Sequence, residues 1–150
     1  MMRAVVLAAG ESSRMGQPKA GLLVSPGGPT FAAAVVAALH AAGLGEVTVV
    51  AGAHPEAVRA AVAGLDGVRV VVHDGWAAGQ LSSLRAGLDA VDAPDVEALV
   101  VTLVDCPLVR PATVVRLVDT WRISRAPIVR PAIGDRHAAP FPGGDLVQPR

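Results

Sequence analysis

The sequence predicts an α/β fold: a mostly parallel sheet with helices on both faces, in three layers. Three observations carry this. Short apolar runs of valine, leucine and alanine recur along the chain and lack the polar alternation of a strand with one wet face. Between them lie alanine-rich stretches of helical length, with capping residues before them and glycines after them. Strand and helix alternate three times over, an order that indicates parallel strands joined by right-handed crossovers.

Taken in order, Val5 to Ala9 is a buried strand that Gly10 ends. A loop rich in small and basic residues follows to Lys19, then a brief apolar segment, Gly21 to Val24, and the turn cluster Ser25 to Pro29. Thr30 caps a helix over Phe31 to Ala42, and Gly43 takes the left-handed position that closes it. His40, with no partner at helical spacing, is read as a helix residue and not a ligand. Val47 to Ala51 is a second strand ending at Gly52. Pro55 opens a helix through Ala63, with Gly64 beyond it. Val68 to His73 is a third strand, and the stretch from Asp74 to Leu88 leaves its carboxyl end as a loop and enters a helix. The most hydrophobic strand, Ala98 to Val104, delivers Asp105 at its carboxyl end. A helix over Pro111 to Arg122 and a further strand at Ile128-Val129 complete the pattern.

With 150 residues, 52% of them hydrophobic, the chain has material for one domain and one core. Two Phe, two Trp and no Tyr leave that core to Ala, Val and Leu, and leave little for stacking on single-stranded nucleic acid. A formal net charge of zero argues against a nucleic-acid or anionic-membrane partner. The single cysteine, Cys106, excludes an internal disulfide and fits a reducing cytosol. The first apolar run is too short for a signal peptide, and none is long enough to span a bilayer. A cytoplasmic protein is expected.

Chemistry concentrates in three loops. From Gly10 to Lys19 the chain offers small residues whose N–H groups can approach a ligand closely, the hydroxyls of Ser12 and Ser13, and the cations Arg14 and Lys19. That is an anion cradle in outline. Its spacing fits neither the Walker loop nor the dinucleotide G-x-G-x-x-G turn. Lys19 is the only lysine among 13 basic residues, so a compact ammonium stands here in a chain that otherwise uses guanidinium. In the second loop, Ser82 and Ser83 either cap the helix or, with its free N–H groups, hold a ribose or phosphate oxygen at the same rim of the sheet. In the third, Asp105 is a hard oxygen ligand of the kind that suits Mg²⁺ held jointly with substrate phosphates, or else a plain turn former. The acid beside Cys106 raises the thiol pKa and disfavours a nucleophilic role.

Leu7-Ala8-Ala9-Gly10, then Ser13-Arg14-Met15-Gly16, then Pro18-Lys19 resembles the signature loop of the molybdenum-cofactor cytidylyltransferases and guanylyltransferases, the MobA-like NTP transferases. Gly79-Gln80-Leu81-Ser82-Ser83-Leu84-Arg85-Ala86-Gly87 is similar to a nucleotide-binding segment of that family, with Gln80 where methionine is common and Asp74 where asparagine is expected. Asp105-Cys106-Pro107-Leu108 is similar to its D-x-P segment, whose aspartate holds the metal.

The resemblance implies a Rossmann-like fold of the nucleotide-diphospho-sugar transferase type. It implies nucleotide binding by Leu7, Ala8, Ala9, Gly10, Ser13, Arg14, Lys19, Gly79, Ser82 and Ser83, with Arg14, Lys19 and Asp105 in catalysis and Asp105 on Mg²⁺. The implied reaction moves CMP from CTP onto a phosphate of the molybdenum pterin cofactor and releases pyrophosphate. Ala9, where a second glycine would stand, resembles the cytidylyl branch. Alternatives are a transferase for a sugar or isoprenoid phosphate, and a nucleotide-binding module without catalysis. Beyond Pro131 the likeness fades to an echo of G-x-x-G-H-P at Ile133 to Pro142. The C-terminal part of the family fold is expected to be missing. An uncovered apolar edge around Ile128 to Ile133 is then expected to cause self-association, or the tail from about Gly134 to be disordered.

Overall fold

The computed structural model describes residues 1–12, 16–133 and 136–137. Its elements are β1 (Met2–Ala8), α1 (Phe31–Ala41), β2 (Val47–Ala51), α2 (Pro55–Ala61), β3 (Val68–Val72), α3 (Gln80–Val91), β4 (Ala98–Leu103), α4 (Pro111–Ser124), β5 (Ala132–Ile133) and β6 (Arg136–His137). The first four strands form one parallel sheet in the order β3-β2-β1-β4. The last two make a small antiparallel ribbon.

Strand side chains alternate between two cores because successive residues point to opposite faces. Ala4 and Val6 of β1, with Val47, Val49 and Ala51 of β2, meet Val35, Val36 and Leu39 of α1, Val58 of α2, and Val114 and Val118 of α4. Val5 and Leu7, with Val50, face the other way, against Val91 and Leu84 of α3 and against Trp76. Both faces are therefore covered, as uninterrupted apolar strands require. The three-layer α/β expectation holds.

Local signals explain the helix ends. The Thr30 hydroxyl accepts a hydrogen bond from the Ala33 N–H at 3.1 Å, and Pro55 occupies the first turn of α2, where a missing N–H costs nothing. Gly43 and Gly64 follow α1 and α2 with φ of +88° and +77°, the left-handed backbone expected of them. Gly87 has a different purpose. A Cβ there would stand 2.7 Å from Val5 Cγ1 and 3.0 Å from Val50 Cγ2, so its bare backbone lets α3 lie close on the sheet.

One expected element is replaced. Ile128 and Val129 form no strand; pairing begins only at Ala132. Pro127 and Pro131 bracket the segment, and neither supplies the N–H that a ladder needs. The tail from Gly134, apart from the short β6, lies outside the described residues. Among the described residues no helix is long and apolar enough to cross a membrane.

Candidate active site

Strand order locates the site. The chain steps outward from β1 to β2 to β3, then returns across β1 to lay β4 on its other side. The loops leaving the carboxyl ends of β1 and β4 thus diverge from neighbouring strands, the switch point at which open parallel sheets form ligand crevices. A cleft of about 320 Å³ opens there. Its walls come from Leu7 to Ser12, Pro18 to Ala20, His54, the turn at Trp76 and Ala77, the start of α3, and Leu103 to Asp105.

The first wall continues β1 into the loop. Gly52, at the end of β2, allows that loop to pass close by: a Cβ there would lie 2.5 Å from the Ala9 carbonyl oxygen. The Ala53 N–H donates to the same oxygen at 3.2 Å. Farther out, Ser12 has φ +58°, a left-handed conformation that costs a non-glycine residue about 1–2 kcal/mol unless its surroundings hold it. They do so from two directions. The Lys19 N–H donates to Ser12 Oγ at 3.2 Å, and His54 Nε2 lies 2.9 Å from the Glu11 carbonyl oxygen.

Across the cleft, Lys19 Nζ and Asp105 Oδ2 are 3.0 Å apart. Their side chains are 37% and 40% exposed, so solvent screens the pair, and ion pairs of this kind contribute only about 0–1 kcal/mol to stability. Neither group is committed to holding the fold. The ammonium is free to turn to an incoming phosphate, and the carboxylate to a divalent cation.

Asp105 and Glu11 are the acidic residues among the described lining of the cleft. Among the described residues no group of three His, Cys, Asp or Glu side chains could hold a metal by itself. One carboxylate beside an anion cradle nevertheless suits Mg²⁺, which keeps several waters and binds through one or two carboxylates plus substrate phosphates. Cys106 follows on the surface. Desolvation raises its thiol pKa, and the Asp105 charge and a hydrogen bond to that carboxylate raise it further, against a smaller lowering by Lys19. The thiol is held in its protonated, poorly nucleophilic form.

The third wall is the start of α3. Gly79 precedes its first turn, and Ser83, only 3% exposed, lines the cleft. Ser82 behaves differently. Its hydroxyl donates toward the Gly79 and Gly75 carbonyls, at 2.7 and 3.2 Å, and lies 3.0 Å from His73 Nε2. It closes the turn in front of the helix and does not line the cleft, and neither serine caps α3 by hydrogen-bonding its N–H groups.

The structure therefore brings Leu7, Ala8, Ala9, Gly10, Lys19, Gly79, Ser83 and Asp105 to one cleft, and leaves Ser82 behind its wall. Ser13 and Arg14 lie outside the described residues. Sequence reasoning passed over His54 and Trp76, which also line the cleft. For His54 a signal was there: it stands between the glycine that ends β2 and the proline that opens α2, at the same rim as the other loops.

Comparisons with known proteins agree with this fold. Rv0371c from Mycobacterium tuberculosis H37Rv, also solved as a complex with manganese, is similar at 41% identity over 79% of this chain, with a TM-score of 0.64. The nucleotidyl transferase Mth528 from Methanothermobacter thermautotroptrophicus is similar at 33% identity over 79%, with a TM-score of 0.65. CMP:2-keto-3-deoxy-manno-octonic acid synthetase complexed with CTP is similar at 25% identity over 83%, with a TM-score of 0.62. The matches span 58%, 57% and 48% of those three chains, so this chain covers less than two thirds of their length. A search of curated proteins finds no match. The family model of the MobA-like NTP transferase domain matches residues 4–148, nearly the whole sequence, and the chain belongs to that family.

Proposed function

We propose that this protein transfers a nucleotidyl group, CMP from CTP, to a phosphate of the molybdenum pterin cofactor and releases pyrophosphate. The observation that carries this reading is the meeting of Lys19 and Asp105 at 3.0 Å across the switch point, in a cleft floored by the loop from Leu7 to Gly10. A triphosphate needs both a cation that is free to turn to it and a carboxylate for its divalent ion, and the cleft offers one of each. Similarity to a CTP-bound synthetase supports the choice of cytidine nucleotide.

The chemistry asks little of a general base. An ionised acceptor oxygen attacks the α-phosphorus, the bond to the bridging oxygen breaks, and pyrophosphate leaves with the electron pair. The protein's part is alignment and charge neutralisation. Lys19, with Arg14, stabilises the charge that grows on the leaving pyrophosphate. N–H groups around Ala8 to Gly10, with Gly79 and Ser83, orient the nucleotide. Bound Mg²⁺ supplies further neutralisation of phosphate charge, and Asp105 is the residue that would hold it.

The test is pyrophosphate release with each of the four ribonucleoside triphosphates, Mg²⁺ and a panel of pterin, sugar and isoprenoid phosphates. Release with CTP and the pterin phosphate alone is the expected result. Release only with another acceptor would move the protein to a different branch of the family. Tight Mg-CTP binding without release under any acceptor would make it a nucleotide-binding module.

A further inference from the structure

The geometry points to His54 as a positioning residue for the anion loop, acting through the carbonyl of Glu11. His54 occupies the N-terminal boundary of α2, yet its side chain makes no capping hydrogen bond to that helix. Its ring turns to the neighbouring loop, where Nε2 lies 2.9 Å from the Glu11 carbonyl oxygen. A carbonyl only accepts, so Nε2 carries the proton and donates. One residue earlier, the Ala53 N–H donates to the Ala9 carbonyl at 3.2 Å. The segment joining β2 to α2 thus grips the first loop at two carbonyls, two residues apart.

The grip matters because of what comes next in the loop. Ser12, the residue after Glu11, is in the left-handed region, from which a serine relaxes when its neighbours release it. Its hydroxyl accepts from the Lys19 N–H, and the Lys19 ammonium faces Asp105. A chain of contacts therefore runs from His54 through Glu11 and Ser12 to the backbone of Lys19. With His54 in place, Glu11, Ser12 and the backbone of Lys19 are held together at the cleft before any ligand arrives. Preorganisation of this kind lowers the ordering cost of binding.

This role rests on the nucleotidyl-transfer reading for its catalytic consequence, although not for its structural one. The experiment separates the two by comparing the full chain with His54→Leu and His54→Gln. Glutamine retains an N–H donor at similar reach, and leucine retains bulk alone. Amide hydrogen exchange without nucleotide reads the Lys19 N–H, and CTP titration with steady-state kinetics reads the cleft.

His54→Leu is expected to speed Lys19 amide exchange and to raise the CTP Kd and KM by about fivefold each, the size of one net hydrogen bond, with kcat changed less than about twofold. His54→Gln is expected to recover most of each effect. Unchanged Lys19 exchange in His54→Leu, or a glutamine variant no better than leucine, overturns the role. Loss of kcat with unchanged KM overturns it as well, since that would place His54 in the chemical step. If the unsubstituted protein neither binds nor turns over CTP, the proposed function fails, while the exchange data still decide whether His54 holds the loop.

Discussion

Lys19 and Asp105 stand 86 positions apart and are joined by a contact worth little to stability, which makes them clean targets for substitution. Asp105→Asn should cost under about 1 kcal/mol in denaturant unfolding and yet lower Mg²⁺-dependent turnover by about 100-fold or more. Equal turnover at limiting Mg²⁺ would remove Asp105 from the metal. Lys19→Ala should weaken CTP binding, and Lys19→Arg should restore only part of it, because a planar fork does not fill the place of a compact ammonium. Full recovery with arginine, measured as kcat/KM, would show that charge alone matters there. Cys106 reports on the same carboxylate. With its pKa raised by desolvation and by Asp105, less thiolate is present at any given pH, so alkylation at neutral pH should be slower than for a free thiol. Asp105→Asn removes the negative neighbour and leaves Lys19, and should therefore speed the reaction. A rate unchanged by that substitution would show that desolvation alone sets the thiol.

Helix α3 shows how an element serves the site through a residue remote from it. Gly87→Ala would drive a methyl into Val5 and Val50, overpacking the second core by about 1–3 kcal/mol and lifting the helix that follows Gly79 and carries Ser83. Chemical denaturation should show that loss, and CTP affinity should fall with it. An unchanged midpoint would mean that the sheet yields to the methyl. The sequence located α3 and the other helices well, because their signals are local: Thr30 before α1, Pro55 inside α2, Gly43 and Gly64 behind. It located the four strands of the parallel sheet because an unbroken apolar run rich in valine has few other uses. Nonlocal facts were harder to read. Nothing near Ser82 says that its hydroxyl is taken by Gly75, Gly79 and His73 while Ser83 lines the cleft, since the choice depends on how the turn before α3 folds back on His73. Ile128-Val129 looked like a strand by composition, and the flanking prolines, visible in the same line of sequence, weighed more.

At the scale of the molecule, β4 lies at one edge of the sheet among the described strands, and Ile123 and Ile128 are 86% and 55% exposed. A sheet edge and isoleucines left exposed by the described residues favour association. Sedimentation should show a concentration-dependent rise above monomer mass, reduced by Ile128→Glu; a monomer at all concentrations would end that expectation. The strand order has another consequence. Because β1 pairs with β2 on one side and β4 on the other, the cleft's components come from sequence regions near residues 10, 54, 80 and 105, and β4 is the last of the four strands to leave a ribosome. A nascent or clipped chain ending before Ala98 has the whole signature loop and no opposing carboxylate. Under the proposed function, CTP would then act as a selective stabiliser of the finished sheet: by mass action a ligand at 100 times its Kd adds about 2.7 kcal/mol to the folded state alone. Cells rich in the nucleotide would shield weakened variants from proteases, and purified protein stripped of it would be at its most fragile.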